Sequence, residues 1–125
     1  MSVNNPGGSI TISPSQTVVT TQPVTTYQGT MVLAANTSTP LTSGNVTLAP
    51  NSAALPAAGS FGRLVVIAAS GSSFTVNWFG GTATATSGEP MGAGTNIGTD
   101  TVNLTGNANA PTFFSTAGAT LYFRN

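Results

Sequence analysis

The sequence predicts an all-β fold, a β-sandwich or jelly-roll-like domain with an extended polar N-terminal arm. Three observations predict it. Thr, Ser, Gly, Asn and Val dominate, and all are middling or poor helix formers. Fifteen Gly and eight Pro break the chain at short intervals. Between the breaks lie short stretches in which apolar and polar residues alternate, the period of a half-buried strand.

Residues 1–28 read as the arm. They are rich in Ser, Thr, Gln and Asn and hold one aromatic, Tyr27. Within them Ser9–Ser13 alternates cleanly, and Thr17–Thr20 is a short Thr/Val stretch; both are candidate strands. Polar termini fray unless something holds them, and a neighbouring subunit is the expected holder.

Residues 29–125 read as the sandwich. Thr30–Ala34 is apolar enough for a buried strand, and Asn45–Leu48 alternates. Arg63–Ala68 is the strongest apolar run and is expected to cross the core. Ser70-Gly71-Ser72 then suggests a hairpin turn. Phe74–Trp78 alternates, which places Phe74, Val76 and Trp78 on one face. Gly80-Gly81 allows a tight turn. Thr82–Thr86 reads Thr-Ala-Thr-Ala-Thr and is expected to be an ordinary strand; an ice-binding ladder would need the motif repeated at a fixed period. Gly88-Glu89-Pro90 and Gly92-Ala93-Gly94 mark a loop-rich passage. Thr101–Leu104, Pro111–Phe114 and Ala119–Phe123 complete the strands. Short strands at this spacing indicate a sandwich or jelly roll.

Charge narrows the function. Arg63, Glu89, Asp100 and Arg124 are the only formally charged side chains, and there is no Lys, His or Cys. Ser/His, Cys/His and Ser/Lys nucleophile systems cannot be assembled. Glu89 and Asp100 could pair as in a glycosidase, but Glu89 lies in a Gly/Pro loop with no polar cluster beside it. The expected role is a loop carboxylate, one of the two pairing with Arg63. Gly92-Ala93-Gly94 lacks the Lys and the following helix of a phosphate loop. No enzymatic activity, cofactor or metal is expected. Two arginines cannot neutralise many phosphates, so no nucleic acid partner is expected.

No apolar run approaches the length of a membrane helix, so no membrane partner is expected. Met1–Pro14 is polar and Gly-rich, unlike a secretory signal, which implies synthesis in the host cytoplasm. The Asn-x-Ser/Thr triplets at Asn36, Asn45 and Asn103 therefore carry no glycosylation argument. A free chain with zero net charge has little colloidal protection, and burial against a partner resolves that. The candidate interface residues are Tyr27, Arg63, Trp78, Phe79 and Tyr122. Aromatics bury most of the area in cores and interfaces. Arg63 could anchor a partner through a bidentate contact, or could satisfy strand-end carbonyls or Asp100.

The stretch from Gly62 to Phe123 resembles a pattern found in small virion accessory proteins of tailed bacteriophages. An Arg opens an apolar strand (Arg63-Leu64-Val65-Val66-Ile67), a short turn follows (Ser70-Gly71-Ser72), then an aromatic-bearing strand ending in Gly (Phe74 to Gly80). Next come a Thr-rich stretch (Thr82–Thr86), a Gly-rich loop (Gly88 to Gly94), a polar strand (Thr101–Leu104) and a last aromatic strand (Thr120–Phe123). Ala68-Ala69-Ser70 stands where the pattern has an Asn after its first strand. The resemblance implies a capsid decoration (cement) or head-fibre protein on the virion surface. It also implies a homotrimer with the major capsid protein as partner. Such proteins act through surfaces, so no reactive residue carries over. The alternative is a fibre or tail-associated module that binds host-surface glycan through Trp78 or Tyr122. A third reading is a surface-layer or pilus-like subunit.

Overall fold

The alternating stretches become strands in the computed structural model, which describes residues 26–57, 60–92 and 99–125, with 99–101 by backbone alone. The strands are β1 (Gln28–Leu33), β2 (Thr37–Pro40), β3 (Thr47–Leu48), β4 (Arg63–Ala68), β5 (Phe74–Asn77), β6 (Glu89–Met91), β7 (Thr99–Asn103), β8 (Thr112–Ser115) and β9 (Ala119–Arg124). They form a five-stranded sheet, β3-β1-β9-β4-β7, and a four-stranded sheet, β2-β8-β5-β6. Every strand pairing is antiparallel.

The pairings show how the chain is wound. β1 pairs β9, β2 pairs β8, β4 pairs β7 and β5 pairs β6. The two halves of the chain thus run beside each other as one long ribbon. Rolling that ribbon brings β4 beside β9 and β5 beside β8, which completes both sheets. This double-sheet winding is a jelly roll. The two-residue β3 is an addition on the β1 edge.

The pleat decides what is buried. Gly29, Met31 and Leu33 of β1 share the inner face with Phe123, Leu121 and Ala119 of β9, their direct cross-strand partners. Leu64, Val66 and Ala68 continue that face on β4, and Phe74, Val76, Trp78, Met91 and Phe113 meet it from the other sheet. The rings of Phe74 and Trp78 both stand edge-on to Phe113. Tyr27 and Phe61 close one end of this core, edge to face.

Tyr27 is not an arm residue. It is 3% exposed, its hydroxyl donates to the Phe61 carbonyl at 3.2 Å, and its N–H donates to Asn125 Oδ1 at 3.0 Å. The sandwich therefore begins at Tyr27, ahead of the expected residue 29. Loss of solvent around the phenol pushes its pKa up to about 12. The folded state thus keeps its proton where the unfolded chain has lost it. Stability is fully present below pH ~10 and falls as pH rises from ~10 to ~12, by of order 2 kcal/mol. Denaturant unfolding at stepped alkaline pH measures this. A Tyr27→Phe variant should lack that loss.

Several expectations change. Ser70-Gly71-Ser72 does not close a hairpin, because β4 and β5 lie in different sheets. The turn, with Gly71 at φ 79 and the Ser72 N–H donating to the Ala69 carbonyl, carries the chain across the sandwich. Glu89-Pro90-Met91 is an edge strand, where a proline costs no ladder bond. Thr37–Pro40 is a second edge strand that the alternation did not mark. Asn45 belongs to a short 3₁₀ turn over Ser43–Asn45, which leaves only Thr47–Leu48 paired. Thr82–Thr86 is not a strand. The candidate strands Ser9–Ser13 and Thr17–Thr20 lie outside the described residues.

Candidate functional site

The two outer faces of the sandwich differ, and the difference starts with where hydroxyls and amides fall. On the four-stranded sheet, Ser38, Thr75, Asn77 and Thr112 each bond the backbone of the segment 81–84. The Ala83 N–H donates to Ser38 Oγ at 3.1 Å. Thr75 donates to the Thr84 carbonyl at 2.7 Å, Asn77 to the Thr82 carbonyl at 2.9 Å and Thr112 to the Gly81 carbonyl at 2.8 Å. These side chains occupy the backbone groups that a strand ladder would use. The segment therefore lies across the sheet as a flap, and Ala83 beneath it has no exposed surface.

The outer face of the five-stranded sheet has no such cover among the described residues. Val32 is 71% exposed and Tyr122 47% exposed. Tyr122 sits directly opposite Thr30 on one side and Ile67 on the other. Thr47 extends the same row on β3. Thr120 stands opposite Val32, and Gln28 opposite Arg124. The result is a flat strip of apolar and hydroxyl groups with one edge of charge. A shallow depression beside it is lined by Thr30, Thr47, Leu48 and Tyr122.

Both arginines belong to this face. Arg124 lies opposite Val65, and Arg63 is two residues from Val65 on the same strand, so the two are diagonal neighbours at about 7–8 Å between backbones. Both are exposed. Among the described residues neither has a hydrogen-bond or ion-pair partner. The cross-strand partner of Arg63 is Asn103, while Asp100 sits opposite Val66. Glu89 is on the other sheet, where its Oε1 accepts the Trp78 indole N–H at 2.7 Å. Glu89 thus does not pair with Arg63, and the Asp100 side chain lies outside what is described.

The second exposed aromatic stands at one end of the sandwich. Phe79 is 65% exposed. Its turn is held on both sides: the Gly80 N–H donates to the Asn77 carbonyl at 3.3 Å, and the Asn109 amide donates to the Phe79 carbonyl at 3.1 Å. The Asn107 amide donates to the Trp78 carbonyl at 3.4 Å. Gly80 has φ 93, and a Cβ there would lie 2.6 Å from Asn109 Cβ, so only glycine fits. Thr26, the first described residue, lies at this same end, since β1 starts and β9 stops there.

The five candidate interface residues thus divide. Arg63 and Tyr122 share the open sheet face. Phe79 stands out from the loop end. Tyr27 and Trp78 are in the core, Trp78 at 7% exposure. Val32, Ile67 and Arg124 join the open face without having been singled out. Strand alternation alone could have found Val32, because it is out of phase with Met31 and Leu33.

Chemistry is sparse. Among the described residues no cluster of His, Cys, Asp and Glu could hold a metal ion. No helix among them is long and apolar enough to cross a membrane. The geometry offers surfaces: an open, nearly neutral sheet face and a rigidly held aromatic. No protein family, curated protein or solved structure matches this chain.

Proposed function

We propose that this chain is a structural virion protein that decorates the outside of a tailed-phage capsid and bridges its shell subunits. The observation that carries the reading is Phe79. It is a large aromatic, 65% exposed, fixed in place by its neighbours' amides, on a surface with almost no charge. An anchor held in its bound geometry loses little entropy on docking, and aromatics dominate interface energies. The loop end carrying Phe79 faces the major capsid protein, and the N-terminal segment leaves from that end to lie along the shell. Neutral contacts repeated over a symmetric surface act through avidity. A layer that spans subunit junctions raises the cost of opening them under genome pressure.

Two measurements test this. Antibody labelling of virions should mark the capsid surface; label confined to tails or absent from particles defeats the reading. Attachment should also persist through salt near 1 M, where the Debye length is about 3 Å, and release by moderate salt would defeat it. Phe79→Ala should lower particle occupancy at limiting protein by about tenfold or more, since central aromatics contribute roughly 2 kcal/mol or more. Its thermal unfolding should match that of the unchanged protein.

A glycan-binding fibre or tail module is the second reading. Tyr122, 47% exposed among Thr30, Thr47 and Thr120, is the feature that favours it; buried Trp78 offers no stacking surface. Binding of the purified chain to a glycan array, lost in Tyr122→Ala, would select it over the capsid reading.

A further inference from the structure

The polar side chains of the two outer faces are in opposite states. On the four-stranded sheet, Ser38, Thr75, Asn77 and Thr112 are taken up by the backbone of residues 81–84. On the five-stranded sheet, the side chains of Gln28, Thr30, Thr47, Tyr122 and Arg124 have no hydrogen-bond partner among the described residues. Register sets four of these in a block: Arg124 lies opposite Gln28, and Tyr122 opposite Thr30. The two rows are roughly 7 Å apart along the strands, and partners stand about 5 Å apart across them. Two depressions flank the block. One, of about 300 Å³, is bordered by Arg124, Gln28 and Pro50. The other, of about 330 Å³, is bordered by Tyr122, Thr30, Gln28 and Pro50. Sharing Gln28, Ala49 and Pro50, they adjoin as one shallow groove with a guanidinium at one end and a phenol at the other.

We infer that this groove binds a carboxylate-bearing sugar, of the uronic or sialic acid type, within a glycan. The inference rests on Tyr122 serving as a sugar platform, as in the second reading above, and not on the capsid reading. The Arg124 guanidinium is a planar fork that matches a carboxylate through two parallel N–H···O bonds. Arg63, exposed and about 7–8 Å away, adds a second positive charge. Glu89, the one carboxylate among the described side chains, is on the other sheet and holds Trp78. The groove's positive end is therefore not neutralised by any described side chain. Gln28 and Thr30 offer an amide and a hydroxyl to the sugar's hydroxyls, and the apolar face of its ring packs on Tyr122.

Area favours a glycan over a protein here. Five strands spaced about 4.8 Å apart and roughly 20 Å long give a face of about 500 Å², below the roughly 800 Å² per partner of a standard protein interface. A sugar needs only the groove. Charge selects among sugars: a neutral glycan would leave the Arg124 fork without an acceptor, whereas a carboxylate fills it.

The test is a glycan array carrying oligomers of galacturonic acid and of N-acetylneuraminic acid beside neutral glycans, probed with the purified full-length chain. Binding confined to the acidic glycans is expected. Calorimetric titration with a bound oligomer and with its carboxyl-reduced form should then show a preference for the acid of about tenfold or more. Arg124→Gln should weaken the acid by about tenfold and leave the reduced form unchanged. Arg63→Gln should weaken the acid by about twofold to threefold. Tyr122→Ala should weaken both forms. Affinity for the acid should fall several-fold between about 0.05 and 0.5 M salt, unlike the salt-resistant attachment expected of a capsid contact. Equal binding of acid and reduced forms, or an acid affinity indifferent to Arg124→Gln, overturns the inference and leaves the glycan reading standing. So does binding to neutral glycans alone. Binding to no glycan defeats both. The reduced-sugar comparison uses the unchanged protein, and thermal unfolding of each variant separates lost binding from lost folding.

Discussion

Phe113→Ala is expected to remove about 3–5 kcal/mol of stability, the largest loss from any single side chain here. Phe113 has no exposed surface. It sits on β8 between Thr39 of β2 and Val76 of β5. Its ring lies 5.8 Å from that of Phe74 and 6.4 Å from that of Trp78, at interplanar angles of 70° and 82°. Truncation would lose the ring's transfer free energy, two edge-to-face contacts of about 0.5–1.5 kcal/mol each, and the packing of atoms around the void. The neighbours are held by their own ladders and cannot collapse into it. For a domain of this size the midpoint of thermal unfolding should fall by roughly 15–30 °C. Calorimetry or urea titration measures it. A loss below about 1 kcal/mol would mean that the two sheets do not meet around this ring.

Gly29→Ala is the second large expectation, and it tests backbone proximity. A Cβ on Gly29 would lie 2.5 Å from the Thr47 carbonyl oxygen, 2.9 Å from Phe123 Cζ and 3.2 Å from Leu48 Cα. Two of these are backbone atoms of β3, and the third belongs to a buried ring. Relief requires β3 to separate from β1 or Phe123 to leave its place in the core. The reduced freedom of the unfolded alanine chain favours the variant by about 0.4–1 kcal/mol. Overpacking at about 1–3 kcal/mol outweighs it. Amide exchange should show the change locally, at the Ala49 N–H that donates to the Gln28 carbonyl at 2.8 Å. Gly44→Ala, where nothing lies within 4 Å, is the control and should change stability by less than about 0.5 kcal/mol. Equal effects at both positions would count against the β1–β3 contact.

Much of the fold could be read from alternation. The runs Phe74–Trp78 and Ala119–Phe123 bury the side chains that period two assigns them, whereas in Arg63–Ala68 the outward-phase Val65 is buried as well. The reading failed where another force replaced the ladder. Thr82–Thr86 has the composition of a strand, yet its backbone is taken up by Thr75 and Asn77 of the preceding strand and, from 45 residues away, by Ser38. Glu89-Pro90-Met91 looks like a loop because Pro lacks a donor, and only an edge position makes that harmless. Tyr27 looked like part of an arm because its neighbours are polar; its core position depends on Phe61 and Phe123, which local sequence cannot place. The site was legible only in its chemistry: scarce charge pointed to surfaces over reactive groups. Which surface is open depends on the flap, and no local pattern encodes that.

The winding of the ribbon has a consequence for synthesis. Gln28 pairs with Arg124 and Leu33 with Ala119, so the first strand of the sandwich waits for the last. A chain still on the ribosome cannot complete the five-stranded sheet until β9, which sits at its centre, has left the exit tunnel. Until then Met31, Leu33, Leu64 and Val66 have no lasting cover, a state that invites chaperone capture or aggregation. Closing contacts this distant in sequence is slow. Nascent chains stalled before residue 119 should therefore stay protease-sensitive, and resistance should arise only once Ala119–Arg124 has emerged.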